Sequence, residues 1–186
     1  RKEFLNLVVQ EKIMGEPNRG KIIELNPQTK NIHVDLGMDK IGLLALKDYW
    51  GYVKKDEPIL VQVREKTDDA YILSTKIRLF GESLSLIHKG FSKYPECGRE
   101  QERFLKSIEN ELFPDRDFGV LWKMNALRKG REEIIMSIRE LVKSFEKINK
   151  DFEKGKNIKL LLKGLNTYYC HFDSETKKML DELRNK

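Results

Sequence analysis

His33 sits in the run Ile32-His33-Val34-Asp35-Leu36, where apolar and polar residues alternate. At the period of two that marks a half-buried strand, Ile32, Val34 and Leu36 turn inward and His33 and Asp35 turn outward. An outward imidazole on such a strand either stacks on a nucleobase or is an ordinary exposed histidine. Tyr49, Trp50 and Tyr52 follow, flanked by Lys47, Lys54 and Lys55. Rings set among cations suit a single-strand groove, with rings for bases and ammonium groups for phosphates. Trp50 is expected to plug the end of a barrel, leaving Tyr49 or Tyr52 at the surface. Arg64 and Lys66, then Lys76 and Arg78, alternate along two further strands, so each pair shares a strand face. Those pairs are either phosphate contacts or a solvated sheet face. Lys123, Arg128, Lys129 and Arg131 gather just before a long helix, where backbone N–H groups and the helix dipole favour an anion. A phosphate site and a solvated basic turn are both consistent with that cluster.

Catalytic chemistry is thin by comparison. Asp68-Asp69 reads as a hairpin turn, Asp173 as a helix cap, and Asp115 and Asp117 as loop residues that could approach a metal. His33, His88 and His171 are far apart in sequence and have no ligand spacing. Cys97 and Cys170 lack a CxxC pattern, which excludes a zinc knuckle within this chain. Neither a nucleophile triad nor a phosphate-binding glycine loop is readable, so the catalytic residues are unassigned and no metal ligands are named.

The elements that must carry these side chains begin with a run of short strands. Apolar alternation and the turn signals Asn26-Pro27-Gln28 and Asp68-Asp69 predict strands over 20–25, 31–36, 40–46, 59–66 and 70–77. In the first of these, Ile23 and Leu25 are the expected inward residues. Five strands of this size, with no helix between the first three, suit a small closed Greek-key barrel of the oligonucleotide-binding type. Further along, 83–88 and 118–124 read as strands, and 100–113 as a helix stopped by Pro114. A second helix covers 132–152, its stripe being Ile134, Ile138, Leu141, Phe145, Ile148 and Phe152, widened by Ile135 and Val142. Residues 4–10 suggest an edge strand or lead-in, 158–162 another strand, and 173–183 a last helix around Met179, Leu180 and Leu183. The fold class is α+β: a five-stranded barrel followed by a small strand-helix-strand-helix subdomain. The divisions are a lead-in over 1–18, the barrel over 19–81, the α+β subdomain over 82–163 and a C-terminal helix over 164–186, with room for a further domain beyond it.

Composition narrows the partner. A formal charge of +6 over 186 residues makes a polyanion a reasonable ligand without choosing between nucleic acid and a membrane surface. The excess is uneven: 126–163 holds 11 Lys/Arg against 6 Asp/Glu, whereas 19–81 holds 11 against 9. No apolar run approaches the roughly 18–20 residues of a membrane span, and the beginning is no signal peptide, so a cytoplasmic home is expected. A start at Arg1 rather than Met fits a piece of a longer protein.

Three stretches carry a resemblance. GKIIELNPQTKNIHVDLGMDKIGLLALKD (20–48) resembles the S1-like barrel of the ribonuclease E/G family, with its glycine-lysine start, V-D-x-G strand and G-x-L strand. STKIRLFGESLSLIHKG (74–90) resembles that family's passage into its next subdomain, and DFGVLWKMNALRKGREEII (117–135) its 5′-end-sensing segment and long helix. The Lys-rich composition, without the bacterial zinc-link cysteines, looks closer to the archaeal ribonuclease E/G-like branch, whose members bind AU-rich RNA. The resemblance implies an endoribonuclease that hydrolyses phosphodiesters with help from Mg²⁺, and rRNA precursors as a substrate.

The family's aromatic positions on strands two and three fall at His33 and Leu43, and its sensor arginine-threonine pair at Lys123 and Met124. Lysine meets a phosphate as a point charge without arginine's fork, and methionine has no hydroxyl, so a selective 5′-monophosphate sensor is not expected. Single-stranded RNA is expected across strands two and three and on toward Lys123–Arg131. His33 and Tyr49 would stack bases, while Lys40, Lys54, Arg64, Lys66, Lys76, Lys123, Arg128, Lys129 and Arg131 would neutralise phosphates. The alternatives are a non-catalytic RNA-binding module and a translation-associated adaptor. Oligomeric state is not readable from the sequence.

Overall fold

A computed structural model describes residues 15–155. The expected elements at 4–10, 158–162 and 173–183, together with Cys170, His171 and Asp173, lie outside these residues. The chain divides into two compact units, which among the described residues are 15–77 with 148–155, and 78–147.

The first unit is a closed barrel of β1 (Pro17–Asn26), β2 (Asn31–Asp35), β3 (Ile41–Ala45), β4 (Pro58–Lys66) and β5 (Ala70–Ser74), in the order β1-β2-β3-β5-β4. Neighbours are antiparallel except β3 and β5, which run parallel. Alternation forms the core: Ile32 and Val34 from β2, Leu44 from β3, Val61 and Val63 from β4, and Tyr71 and Leu73 from β5 are buried together with Ile22 and Ile59. Burying each such side chain contributes about 1.5–3 kcal/mol.

β1 departs from the expected register. Ile22 pairs with Val34 but Glu24 pairs with His33, so one residue is bulged between them. The bulge reverses the alternation: Ile22, not Ile23, is fully buried. Since β1 pairs with β4 through its first half and with β2 through its second, this bend lets one strand serve both neighbours. A second bulge, at Arg64, lies between the pairs Val63–Leu73 and Glu65–Ile72.

β5 ends at Ser74, short of the expected Ile77. Lys76 lies in the link after it, and Arg78 opens another sheet in the second unit, so these two cations do not share a strand face.

That second unit holds a sheet ordered β6 (Arg78–Phe80), β7 (Leu84–His88) and β8 (Phe118–Trp122), with helix α1 (Arg99–Leu112) and helix α2 (Arg131–Glu153) as far as Lys147, the last residues of α2 being counted with the first unit. The three-residue β6 adds a strand to the expected strand-helix-strand-helix order. β8 stops at Trp122, and residues Met124–Arg128 form a 3₁₀ turn. Leu105 and Ile108 of α1 and Ile134, Ile135, Ile138 and Phe145 of α2 are buried on the stripes that the periodicity marks.

α1 is fixed to β8 through one carboxylate. Glu109 accepts from Trp122 Nε1 at 2.5 Å, from Tyr94 Oη at 2.9 Å and from Ser92 Oγ at 3.0 Å. Burial first, then the hydrogen bond to Glu109, holds the Tyr94 phenol well above its usual pKa. Residues 91–94 lie close along β8: Lys93 N–H donates to Val120 O, and Trp122 N–H to Lys93 O, both at 2.9 Å. Gly119 makes this approach possible, since a Cβ there would lie 2.6 Å from Gly90 O and from the Phe91 carbonyl carbon. Gly119→Ala is therefore expected to destabilise the protein by about 1–3 kcal/mol, read as a lower denaturant midpoint. An unchanged midpoint would show that the segment can move away.

Candidate nucleic-acid interface

Register places one outward residue from each strand in a row around the barrel. Glu24 pairs with His33, His33 with Leu43, Leu43 with Ile72, and Ile72 with Glu65. His33, Leu43 and Ile72 are half-buried, and the two glutamates are exposed. His33 keeps 25% of its side chain exposed, with Nδ1 3.9 Å from Glu24 Oε1. The two positions matched to family aromatics are thus direct cross-strand partners, continued by a third apolar side chain. A flat base can lie on such a floor. Carboxylates at both ends would repel a phosphate there, so cations must come from the barrel's rims.

The rims differ. At one, the β1–β2 turn, the β3–β4 loop and the chain leaving β5 come together: Leu46 N–H donates to Lys30 O at 2.9 Å, and Thr75 Oγ1 to Asp48 O at 3.1 Å. Lys30, Lys47, Lys54, Lys55 and Lys76 are exposed on these segments, against Asp48, Asp56 and Glu57. The opposite rim carries Lys40 and Lys66 against Asp39, Asp68 and Asp69. Tyr71 Oη donates to Asp39 Oδ1 at 2.7 Å, and this bond is the largest cause holding the Asp39 carboxyl below its ordinary pKa, with Lys40 and Lys66 adding to it. Lys40 Nζ also donates to Thr67 O at 2.8 Å. Arg64, in the β4 bulge, donates to Lys76 O.

The aromatic cluster corrects one expectation. Trp50 does not plug the barrel. Tyr49 and Val53 pack against the core instead, while Trp50 is 93% and Tyr52 88% exposed. Tyr49 Oη donates to Glu57 Oε2 at 3.3 Å, and burial followed by the Glu57 charge raises its pKa. Tyr49 thus presents a half-buried ring with its hydroxyl engaged.

In the second unit, the cations around the 3₁₀ turn are largely engaged internally. Lys123 Nζ donates to Gly81 O at 2.7 Å. Lys129 Nζ lies 3.6 Å from Glu133 and 3.8 Å from Glu82. Arg131 donates to Ser107 Oγ at 3.0 Å and pairs with Glu111. Arg128 is exposed, without an ion pair among the described residues. His88 packs against the rings of Phe145 and Phe118, at 4.5 and 5.4 Å between centroids, and burial lowers its pKa. Among the described residues, no three His, Cys, Asp or Glu side chains converge to hold a metal ion. Asp115 and Asp117 are exposed in the turn after Pro114. No helix of these residues is long and apolar enough to cross a membrane.

Three archaeal proteins named probable ribonuclease FAU-1 are similar along most of this length. The one from Thermococcus kodakarensis is 31% identical over 178 residues, covering 90% of this chain and 36% of its own. Those from Thermococcus gammatolerans and Pyrococcus horikoshii are 28% identical, covering 83% and 89% of this chain and 33% and 36% of theirs. Over this length the chain is similar to the archaeal FAU-1 proteins. It spans about a third of their length. No family model matches the chain. A solved multidomain protein with nucleic acid binding domains from Streptococcus pneumoniae overlays with a TM-score of 0.32 at 10% identity, over 70% of this chain and 42% of that one. That overlay is too loose to establish a shared fold. The archaeal resemblance seen in the sequence is borne out by the three relatives, and the barrel by the strand order.

The Tyr71–Asp39 bond ties the β2–β3 turn to β5 and gives the barrel a pH dependence. Burial first, then Asp39, pushes the Tyr71 phenol up from 10.0 to about 12. A group with a raised folded pKa stabilises fully below its unfolded value, and that contribution disappears as pH rises through the folded one. Thermal melts are therefore expected to fall between about pH 10 and 12, with Tyr71→Phe losing that part of the decline. Equal slopes in both proteins would separate Tyr71 from the effect.

Proposed function

We propose that this segment binds single-stranded, AU-rich RNA on the outer face of its barrel and serves endonucleolytic RNA processing, with rRNA precursors among its substrates, in the cytoplasm. The observation that carries the proposal is the outward row His33–Leu43–Ile72, half-buried and continuous across β2, β3 and β5. Bases would lie on this floor, their phosphates toward Lys54 and Lys76 at one rim and toward Lys40 and Lys66 at the other. The word ribonuclease in the names of the archaeal relatives supports the processing role.

Asp115 and Asp117 are exposed and are joined by no third His, Cys, Asp or Glu among the described residues, so they form no built site for Mg²⁺, which takes oxygen ligands and keeps much of its water. No cleavage step is assigned to them. This observation favours a second reading, in which the segment recognises RNA and the cutting groups lie outside the described residues.

Binding of a fluorescent AU-rich single strand, followed by anisotropy across a salt series, tests the proposal. Log affinity is expected to fall linearly with log salt, with a slope of about −0.7 per phosphate neutralised. His33→Ala should cost about 1–3 kcal/mol if the ring carries a base. Affinity that ignores both salt and His33→Ala would remove RNA from this face and favour a protein contact. The same samples, incubated with Mg²⁺ or EDTA, separate the two readings: metal-dependent cutting favours the nuclease, and binding without cutting the recognition module.

A further inference from the structure

Trp50 and Tyr52 are the most exposed aromatic side chains among the described residues of the barrel unit, at 93% and 88%. Burying rings of that size contributes strongly to a core, and this loop does reach the core, since neighbouring Tyr49 and Val53 pack on it. Its other two rings, Trp50 and Tyr52, are nonetheless held out in water.

The loop that presents them is tied at both ends. Tyr49 N–H donates to Leu46 O at 3.1 Å, and Thr75 Oγ1 anchors Asp48 O. At the far end, Asp56 N–H donates to Ile22 O at 2.8 Å and Glu57 N–H to Lys54 O at 3.3 Å. Between the rings, Gly51 has φ +115°, a conformation that a residue with a Cβ seldom adopts. Lys47, Lys54 and Lys55 are exposed on the same loop, with Lys30 and Lys76 on the segments bonded to its first end.

This setting discriminates between occupants. The buried centre of a protein–protein interface is enriched in aromatics but depleted in lysine. Here three lysines stand within three residues of the rings. Aromatic faces interleaved with ammonium groups match a single-stranded polyanion, whose bases offer π-faces and whose phosphates need countercharge.

We propose that Trp50 and Tyr52 form a second base-stacking site, separate from the His33 row, through which the cationic rim of the barrel grips single-stranded RNA. The proposal deepens the RNA-binding reading and rests on it. Stacking accepts any base, so this rim holds the strand without reading its sequence.

The test uses the chain's own fluorescence. It has two tryptophans, and Trp122 is buried with its indole N–H on Glu109, so Trp50 is the exposed reporter. Titrating oligo(A) or oligo(U) RNA into the full chain should quench the Trp50 emission, and Trp50→Phe should abolish the quench while keeping most of the affinity. Trp50→Ala and Tyr52→Ala should each weaken binding by about 5- to 150-fold, without changing the salt slope, since neither removes a charge. Salt-dependent RNA binding with steady Trp50 emission and both alanine variants within twofold would overturn the stacking site and leave the His33 face standing. Absence of RNA binding by the full chain at low salt would overturn both. Self-association lost in Trp50→Ala with RNA affinity unchanged, measured by sedimentation, would overturn it in favour of a protein contact.

Discussion

The single bulge in β1 governs the barrel. β1 pairs with β4 through residues 17–21 and with β2 through 21–26, and the extra residue between Ile22 and Glu24 reverses which side chains face in. Without it, Glu24 would turn toward the core, where an unpaired carboxylate costs far more than the pairing gains. With it, Ile22 fills the interior and Glu24 stands opposite His33. The acidic end of the row at Glu24 follows from that one residue, and the other end, Glu65, lies beside the bulge at Arg64. A one-residue slip in a strand exchanges its faces, so the candidate surface and the core are specified together.

Much of this was legible in the sequence, because a half-buried strand writes its period plainly. All five barrel strands and both helices lie close to their expected spans. Bulges have no such signature: IIEL reads equally well with either isoleucine inward. β6 was hidden because Ser74 to Arg78 carries no glycine or proline to separate it from β5. The inside position expected for Trp50 follows from size and hydrophobicity, but packing gives that place to Tyr49. The role of Glu109 was beyond reach, since its donors Ser92, Tyr94 and Trp122 come from separate segments.

Charge was legible as a sum and illegible as a distribution. The positive excess of 126–163, with Lys123 just before it, led toward Lys123, Lys129 and Arg131, yet these bond to a carbonyl, to glutamates and to a serine within their own unit. An ammonium already facing a carboxylate attracts a phosphate less than its formal charge suggests. The barrel, nearly neutral as a whole, spreads its charges unevenly: five lysines against three acids on the segments of one rim, and two lysines against three aspartates on the other. Local arrangement outweighs net charge in deciding where a polyanion is drawn.

The parallel pairing of β3 with β5 has a kinetic consequence. β1, β2 and β3 are joined by short turns, as are β4 and β5, so a three-strand meander and a hairpin can each form from nearby contacts. Two seams remain, and both join residues far apart in the chain: Ile41 with Ala70, and Pro17 with Gln62. Each must pay the entropy of closing the intervening loop before it gains a ladder. Closure therefore comes last, and until then β3 and β5 each expose an unpaired edge to other chains. The Tyr71–Asp39 bond forms across that same seam and so acts as its clasp. The speed with which it shuts sets how long those edges stand open.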